Sequence, residues 1–178
     1  EQIDGINSLI KYYEGLGCKD NQDLNECVSV KGDTGFRKPL IKGTITSYFG
    51  YRIHPITGKN NFHSGTDIGG NAEGTPAYAA AAGTVAAITR RSSCGGNMVY
   101  VHVNVLGKAY TMQYAHLLSI KVNVGDKVTT NTVIGLIGGG STAKANGGYD
   151  RCTTGTHLHF GISKGYYLKD YTSWSKFI

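Results

Sequence analysis

Four side chains in this sequence have the types and spacing of a metal site. His63 and Asp67 stand in Phe62-His63-Ser64-Gly65-Thr66-Asp67, and the distant pair His157 and His159 stands in Thr156-His157-Leu158-His159-Phe160. A catalytic zinc site takes three protein ligands and leaves the fourth position for water or substrate. Any three of these four residues meet that requirement, and the remaining one is then free to act as a base. A mixed set of imidazoles and a carboxylate suits zinc better than calcium or magnesium, which want mostly oxygen.

Such residues need elements that bring them together. His157 and His159 are two apart, so on a strand they share one face. His63 and Asp67 are four apart, which on a helix would align them, but Gly65 and the β-branched Thr66 and Ile68 oppose helix, and a tight loop entering a strand is expected. The composition is rich in Gly (26) and Tyr (12) and poor in Pro (3), with Val, Ile and Thr in short runs, the look of an all-β fold with frequent turns. Strands are predicted over residues 41–51, 75–88, 97–105, 108–114, 120–128, 133–137 and 157–162. Val99, Val101, Val103 and Val105 alternate with Tyr100, His102 and Asn104, which places the valines on a buried face and His102 on the opposite, exposed one. His54 reads as a residue at most lining the rim of a cleft. Gly74–Ala80 and Gly125–Gly135 echo one another, each a tight turn followed by an apolar strand. That pattern is similar to the barrel-sandwich folds of biotin and lipoyl carriers, although Lys127 lacks the exposed hairpin tip that a carrier lysine needs.

Three further segments decide the chemistry. Phe62–Asp67, Tyr114-Ala115-His116-Leu117 and His157-Leu158-His159-Phe160 resemble the three signature motifs of the lysostaphin-like, LytM-type zinc endopeptidases of bacterial cell walls. Phe49–Gly58 is similar to that family's entry segment, and the Gly-Asp-x-Val turn at Gly125 falls where the family has it. The resemblance spans about Tyr48 to Ile162. It implies one zinc ion on His63, Asp67 and His159, with His116 and His157 as the unligated catalytic pair, His157 favoured as the base and His116 as stabiliser or proton carrier. It further implies a compact antiparallel β-sheet domain, barrel-sandwich-like, with a groove over one sheet, acting as a peptidoglycan hydrolase on stem-peptide cross-links or cross-bridges. A catalytically silent wall-binding or scaffolding domain on the same fold is the alternative. Two features depart from the family pattern: Gly161 stands where many relatives have an acidic residue, and residues 141–152 form a long loop before His157, expected to wall the cleft.

The remaining composition bounds the setting. A chain of 178 residues suits one domain, since domains commonly run to about 100–200 residues. Ile3, Ile6, Leu9, Ile10 and Tyr13 recur at helical spacing, predicting a short amphipathic helix before Gly15 and Gly17, followed by a polar loop. The expected division is thus residues 1–35 as a helical and disulfide-stapled appendage, and residues 36–178 as the LytM-type peptidase domain. Cysteines 18, 27, 94 and 152 include no Cys-x-x-Cys pair, so disulfides are favoured over a zinc knuckle. Of three connectivities, 18 with 27 and 94 with 152 is expected, which implies an oxidising, extracellular or cell-surface setting. The net charge of +6 and pI near 9.1 favour an anionic partner such as a bacterial wall. The basic residues are scattered without stacking aromatics, which argues against nucleic acid. No stretch reaches the 18 or so apolar residues of a membrane span. Glu1 in place of Met suggests a processed form, so membrane association is expected only through an upstream anchor.

Overall fold

A computed structural model describes residues 35–141 and 149–166. Eleven strands are present among them: β1 (Thr44–Ser47), β2 (Gly50–Ile53), β3 (Asn60–His63), β4 (Thr66–Gly69), β5 (Pro76–Tyr78), β6 (Gly83–Ser92), β7 (Gly96–Val105), β8 (Lys108–Ile120), β9 (Lys127–Val128), β10 (Val133–Ile137) and β11 (Leu158–Lys164). The main sheet runs β1-β4-β11-β8-β7-β6-β9, with β10 pairing both β8 and β5, and β2–β3 form a separate hairpin. Every pairing is antiparallel. The all-β class is as expected. The helix predicted before Gly15 and the Cys18–Cys27 disulfide lie outside the described residues.

The valine alternation on β7 does what its period requires. Val99, Val101, Val103 and Val105 are buried with Val85, Met112, Leu117, Ile134, Ile137 and Leu158 in one core. Each such side chain contributes roughly 1.5–3 kcal/mol on full burial. The Tyr114 hydroxyl is buried there and accepts the Ala80 N–H at 2.8 Å, and burial pushes its pKa well above the ordinary tyrosine value. The opposite face of β7 is not simply solvent. Met98, Tyr100 and Ala115 make a second, smaller cluster there, and His102 is half-buried, stacked on Tyr166 at 4.5 Å between ring centroids. A two-layer environment replaces the exposed face that alternation alone suggested.

Three predicted strands divide. Residues 75–88 break at Ala79–Ala82, whose small buried side chains sit between β5, paired to β10, and β6, paired to β7. Residues 41–51 split into β1 and β2, which belong to different sheets. Within residues 120–128 the chain turns: Asp126 accepts the Asn123 N–H at 2.8 Å, and only Lys127–Val128 returns to the sheet. Conversely, β8 runs past Tyr114 to Ile120 and so carries His116 within a strand. The two echoing segments meet directly, since β5 and β10 pair.

Candidate metal centre

Sheet register brings the candidate ligands together. His63 ends β3 and Asp67 lies in β4, so a two-residue turn at Ser64–Gly65 joins the first pair. In the register of β11 against β4, His159 stands directly opposite Asp67, and against β8 it stands opposite Ala115. Gly65 is required by this closeness: a Cβ there would lie 2.6 Å from the Phe160 carbonyl oxygen and 2.7 Å from His159 Nε2.

The three polar atoms converge to a triangle. His63 Nε2 is 3.1 Å from Asp67 Oδ1, His159 Nδ1 is 3.0 Å from the same oxygen, and the two ring nitrogens are 3.1 Å apart. Ligands about 2.0–2.2 Å from a tetrahedral zinc stand about 3.3–3.5 Å from one another, so the triangle matches a zinc face to within a few tenths of an ångström. The chemistry of the donor set agrees. His63 Nδ1 lies 2.9 Å from the Tyr48 carbonyl, which can only accept, so Nδ1 carries a proton and Nε2 is the nitrogen placed to bind a metal. A backbone partner of this kind fixes a metal-binding histidine's tautomer. Burial works to raise the Asp67 carboxyl, but hydrogen bonding with His159 and His63 and the fields of His159 and His157 outweigh it and hold the group far below the usual carboxylate range. Burial pushes His159 down to about 4 against the pull of Asp67. At neutral pH the set is therefore one carboxylate and a neutral His159, the protonation state that metal binding needs. His63, Asp67 and His159 thus fit zinc.

His116 and His157 stand beside this triangle. Their rings lie 4.6 Å apart, and His116 is 6.0 Å from the His159 ring, centroid to centroid. His157 precedes β11, and its Nδ1 donates to the Gly155 carbonyl at 2.8 Å. Its Nε2 comes 3.7 Å from Asp67 Oδ1. Burial first, and then the neighbouring His116, lower the pKa of His157, which leaves Nε2 with a free lone pair at neutral pH. His116 reaches the site by a different device. Asn97 pairs Leu117 while Val99 pairs Tyr114, so β8 carries one extra residue at Ala115–His116, and His116 takes a φ of +59°. A bulge of this kind re-aims a side chain, and here both Ala115 and His116 line the same cleft. A left-handed backbone at a non-glycine residue costs on the order of 1–3 kcal/mol. Hydrogen bonds from His116 N to Gly95 O at 2.7 Å and from Gly138 N to His116 O at 2.9 Å hold it in place.

Sequence reasoning did not single out Asp150. Its Oδ2 lies 2.6 Å from His116 Nδ1, and it is buried beside the Cys94–Cys152 disulfide, which forms as expected. Its only signal in the sequence is an acidic residue two positions before a cysteine.

All five predicted site residues line a single cleft of about 740 Å³, whose walls include Arg52, His54, Phe62, Cys94, Cys152 and Thr154. Cys152 and Thr154 come from the segment expected to wall the cleft. Residues 142–148 of that segment lie outside the described residues. His54 lines the rim, and its Nδ1 accepts the Ile56 and Thr57 N–H groups, both at 3.2 Å, so it also braces its own turn. Arg52 approaches Asp67 at 4.0 Å and donates to the Ser47 hydroxyl at 2.9 Å. A second cavity of about 600 Å³ is lined by Thr66, Ile68, Phe160 and Ile162, the residues alternating with Asp67 and His159 and hence on the far face of β4 and β11. Among the described residues, its lining includes no His, Cys, Asp or Glu.

The family model for peptidase family M23 matches residues 61–170. The chain belongs to peptidase family M23. Among relatives of this M23 chain, the DD-carboxypeptidase/endopeptidase Mpg of Neisseria meningitidis serogroup B is 33% identical over 123 residues, 69% of this chain and 25% of the relative. The peptidoglycan DD-endopeptidase ShyC of Vibrio cholerae is 35% identical over 126 residues, 70% of this chain and 25% of ShyC. A crystal structure of a zinc-containing peptidase from Vibrio cholerae superposes with a TM-score of 0.58 at 31% identity, covering 74% of this chain and 37% of that one. The M23 chain therefore spans about a quarter of the length of the curated relatives it matches.

Proposed function

We propose that this M23 chain is a zinc endopeptidase that hydrolyses peptide bonds of bacterial peptidoglycan, at the stem-peptide cross-link or in a cross-bridge, outside the cytoplasm. The observation that carries the reading is the zinc-sized triangle of His63, Asp67 and His159 with two more imidazoles in the same cleft. The named activities of ShyC and Mpg support the substrate class, and the basic charge of +6 favours residence near an anionic wall.

His63, Asp67 and His159 would hold a zinc ion, which would supply an activated water and polarise the scissile carbonyl. The chain's own residues do the rest. His157, neutral and with Nε2 exposed to the cleft beside Asp67, accepts a proton from the attacking water as general base. His116, on the adjoining wall, presents the lone pair of Nε2 to the cleft and acts as proton carrier, taking up a proton there and passing it to the departing amine. Asp67 stays ionised throughout and sets the charge of the ligand shell. The complete ligand set speaks against a silent scaffolding role.

Incubating zinc-loaded protein with purified peptidoglycan of several cross-link types, with and without a chelator, tests the proposal by mass spectrometry of the released fragments. Chelator-sensitive peptide cleavage is expected. Intact walls from a protein that holds stoichiometric zinc would remove the hydrolase reading.

A further inference from the structure

Asp150 lies outside the ligand triangle, yet its carboxylate is anchored by three hydrogen bonds. Its Oδ2 meets His116 Nδ1 at 2.6 Å, and its Oδ1 accepts the Gly95 N–H at 3.2 Å and the Cys152 N–H at 3.3 Å. Only 3% of the residue is exposed. The segment it belongs to is fastened twice to the β6–β7 turn: Arg151 N donates to Ser93 O at 2.9 Å, and Cys152 is bonded to Cys94. The turn in its place must be glycine, because a Cβ on Gly96 would lie 2.7 Å from Asp150 Oδ2 and Gly96 has a φ of +62°. The β6–β7 turn and the disulfide thus converge on a carboxylate whose other oxygen, among the described residues, meets His116.

We propose that Asp150 is a positioning residue for His116, fixing the ring as its Nδ1–H tautomer so that Nε2 is the atom presented to the cleft, with the Cys94–Cys152 disulfide as the clasp that holds the carboxylate there. The inference rests on the peptidase reading for its catalytic meaning, although the tautomer assignment stands on geometry alone. An ionised carboxylate accepts hydrogen bonds and donates none, so the 2.6 Å contact requires the proton on Nδ1. His116 needs such a brace more than His157 does. It sits on a bulge in a left-handed conformation, where the backbone alone leaves the ring's orientation undetermined, whereas His157 has the Gly155 carbonyl. A carboxylate behind a working imidazole is a recurring catalytic arrangement on unrelated folds, recognised by geometry and not by position in the chain.

Asp150→Asn gives a sharp test because it preserves shape and inverts polarity. The amide oxygen can keep the Gly95 and Cys152 contacts while the amide N–H faces His116 Nδ1, which then must accept, and the ring proton moves to Nε2. Nitrogen-15 NMR of the imidazoles in the zinc-loaded wild type should show His116 protonated at Nδ1, and the Asp150→Asn protein should show the opposite tautomer with zinc stoichiometry unchanged. On a soluble cross-linked muropeptide, kcat should fall on the order of 10²- to 10⁴-fold with KM little changed. A wild-type His116 with Nδ1 unprotonated and its proton on Nε2 alone overturns the assignment even if the variant fails to fold. Wild-type kcat in an Asp150→Asn protein with inverted tautomer overturns the catalytic part. A wild type that cleaves nothing removes the peptidase reading instead, and the tautomer comparison still decides the role of Asp150 toward His116.

Discussion

Replacing Gly65 by Ala isolates how tightly the ligand triangle is built. Gly65 does not have a left-handed backbone, so alanine brings no dihedral strain, and its whole effect is the added methyl. That methyl would lie 2.6 Å from the Phe160 carbonyl oxygen and 2.7 Å from His159 Nε2, whereas ordinary contact begins at 3.4 Å. The β3–β4 turn and β11 must therefore separate by about 0.7–0.8 Å, and what must yield is a backbone carbonyl and the ring of His159, a proposed zinc ligand. Overpacking of this kind costs about 1–3 kcal/mol. If the strain is relieved by displacing His159, that range corresponds to about a 5- to 150-fold loss of zinc affinity, at about 1.4 kcal/mol per tenfold. Competition against a chromogenic zinc chelator reads the affinity, and urea unfolding of the metal-free protein reads how much strain the fold itself absorbs. Zinc affinity within twofold of wild type, with unchanged metal-free stability, would show that the turn and β11 are not packed as described and would refute the reasoning.

Three further outcomes follow from the same geometry. His63→Ala or Asp67→Asn should abolish stoichiometric zinc binding by elemental analysis, while His157→Ala should keep zinc and lose about 10²- to 10⁴-fold in turnover; full activity in the last protein would end its assignment as base. Exchanging Cys94 and Cys152 for Ser opens a link spanning 58 residues, for which loop-closure entropy gives an upper figure of about 4 kcal/mol; urea unfolding should show a loss of at least about 2 kcal/mol, and no measurable loss would contradict it. Burial raises the Asp150 carboxyl, but the hydrogen bond and charge of His116, helped by the Gly95 and Cys152 N–H groups, lower it on balance below its ordinary value. A depressed carboxylate stabilises the fold above its unfolded pKa of about 3.9 and loses that contribution as pH falls through the folded value. The stability gap between wild type and Asp150→Asn should therefore be full at pH 7 and close below about pH 4, and a gap constant over that range would speak against an ionised Asp150.

The ligand motifs were legible because each is local: His-x-x-x-Asp and His-x-His need only a turn and a strand, and sheet register then brings His159 opposite Asp67. The Cys94–Cys152 link was legible from its placement in two glycine-rich stretches. What sequence did not disclose is non-local. The bulge that turns His116 into the cleft depends on how β8 registers against β7, and period-two reasoning has no term for an extra residue. Asp150 carries no motif at all, and its meaning comes from a partner 34 residues away. The predicted strands over residues 41–51 and 75–88 divided for a related reason: each half found a different partner strand, and the choice of partner is made by the assembled sheet.

The place of β11 between β4 and β8 has a consequence for how the chain finds its native pairing. A slip of one residue in either ladder would carry His159 to the far face and leave Asp67 opposite an apolar side chain, because side-chain direction alternates along a strand. A slipped chain offers two ligands at best. Since a metal that binds only the native arrangement stabilises only that arrangement, zinc would act as a proofreader of register, withholding its binding energy from every misaligned sheet.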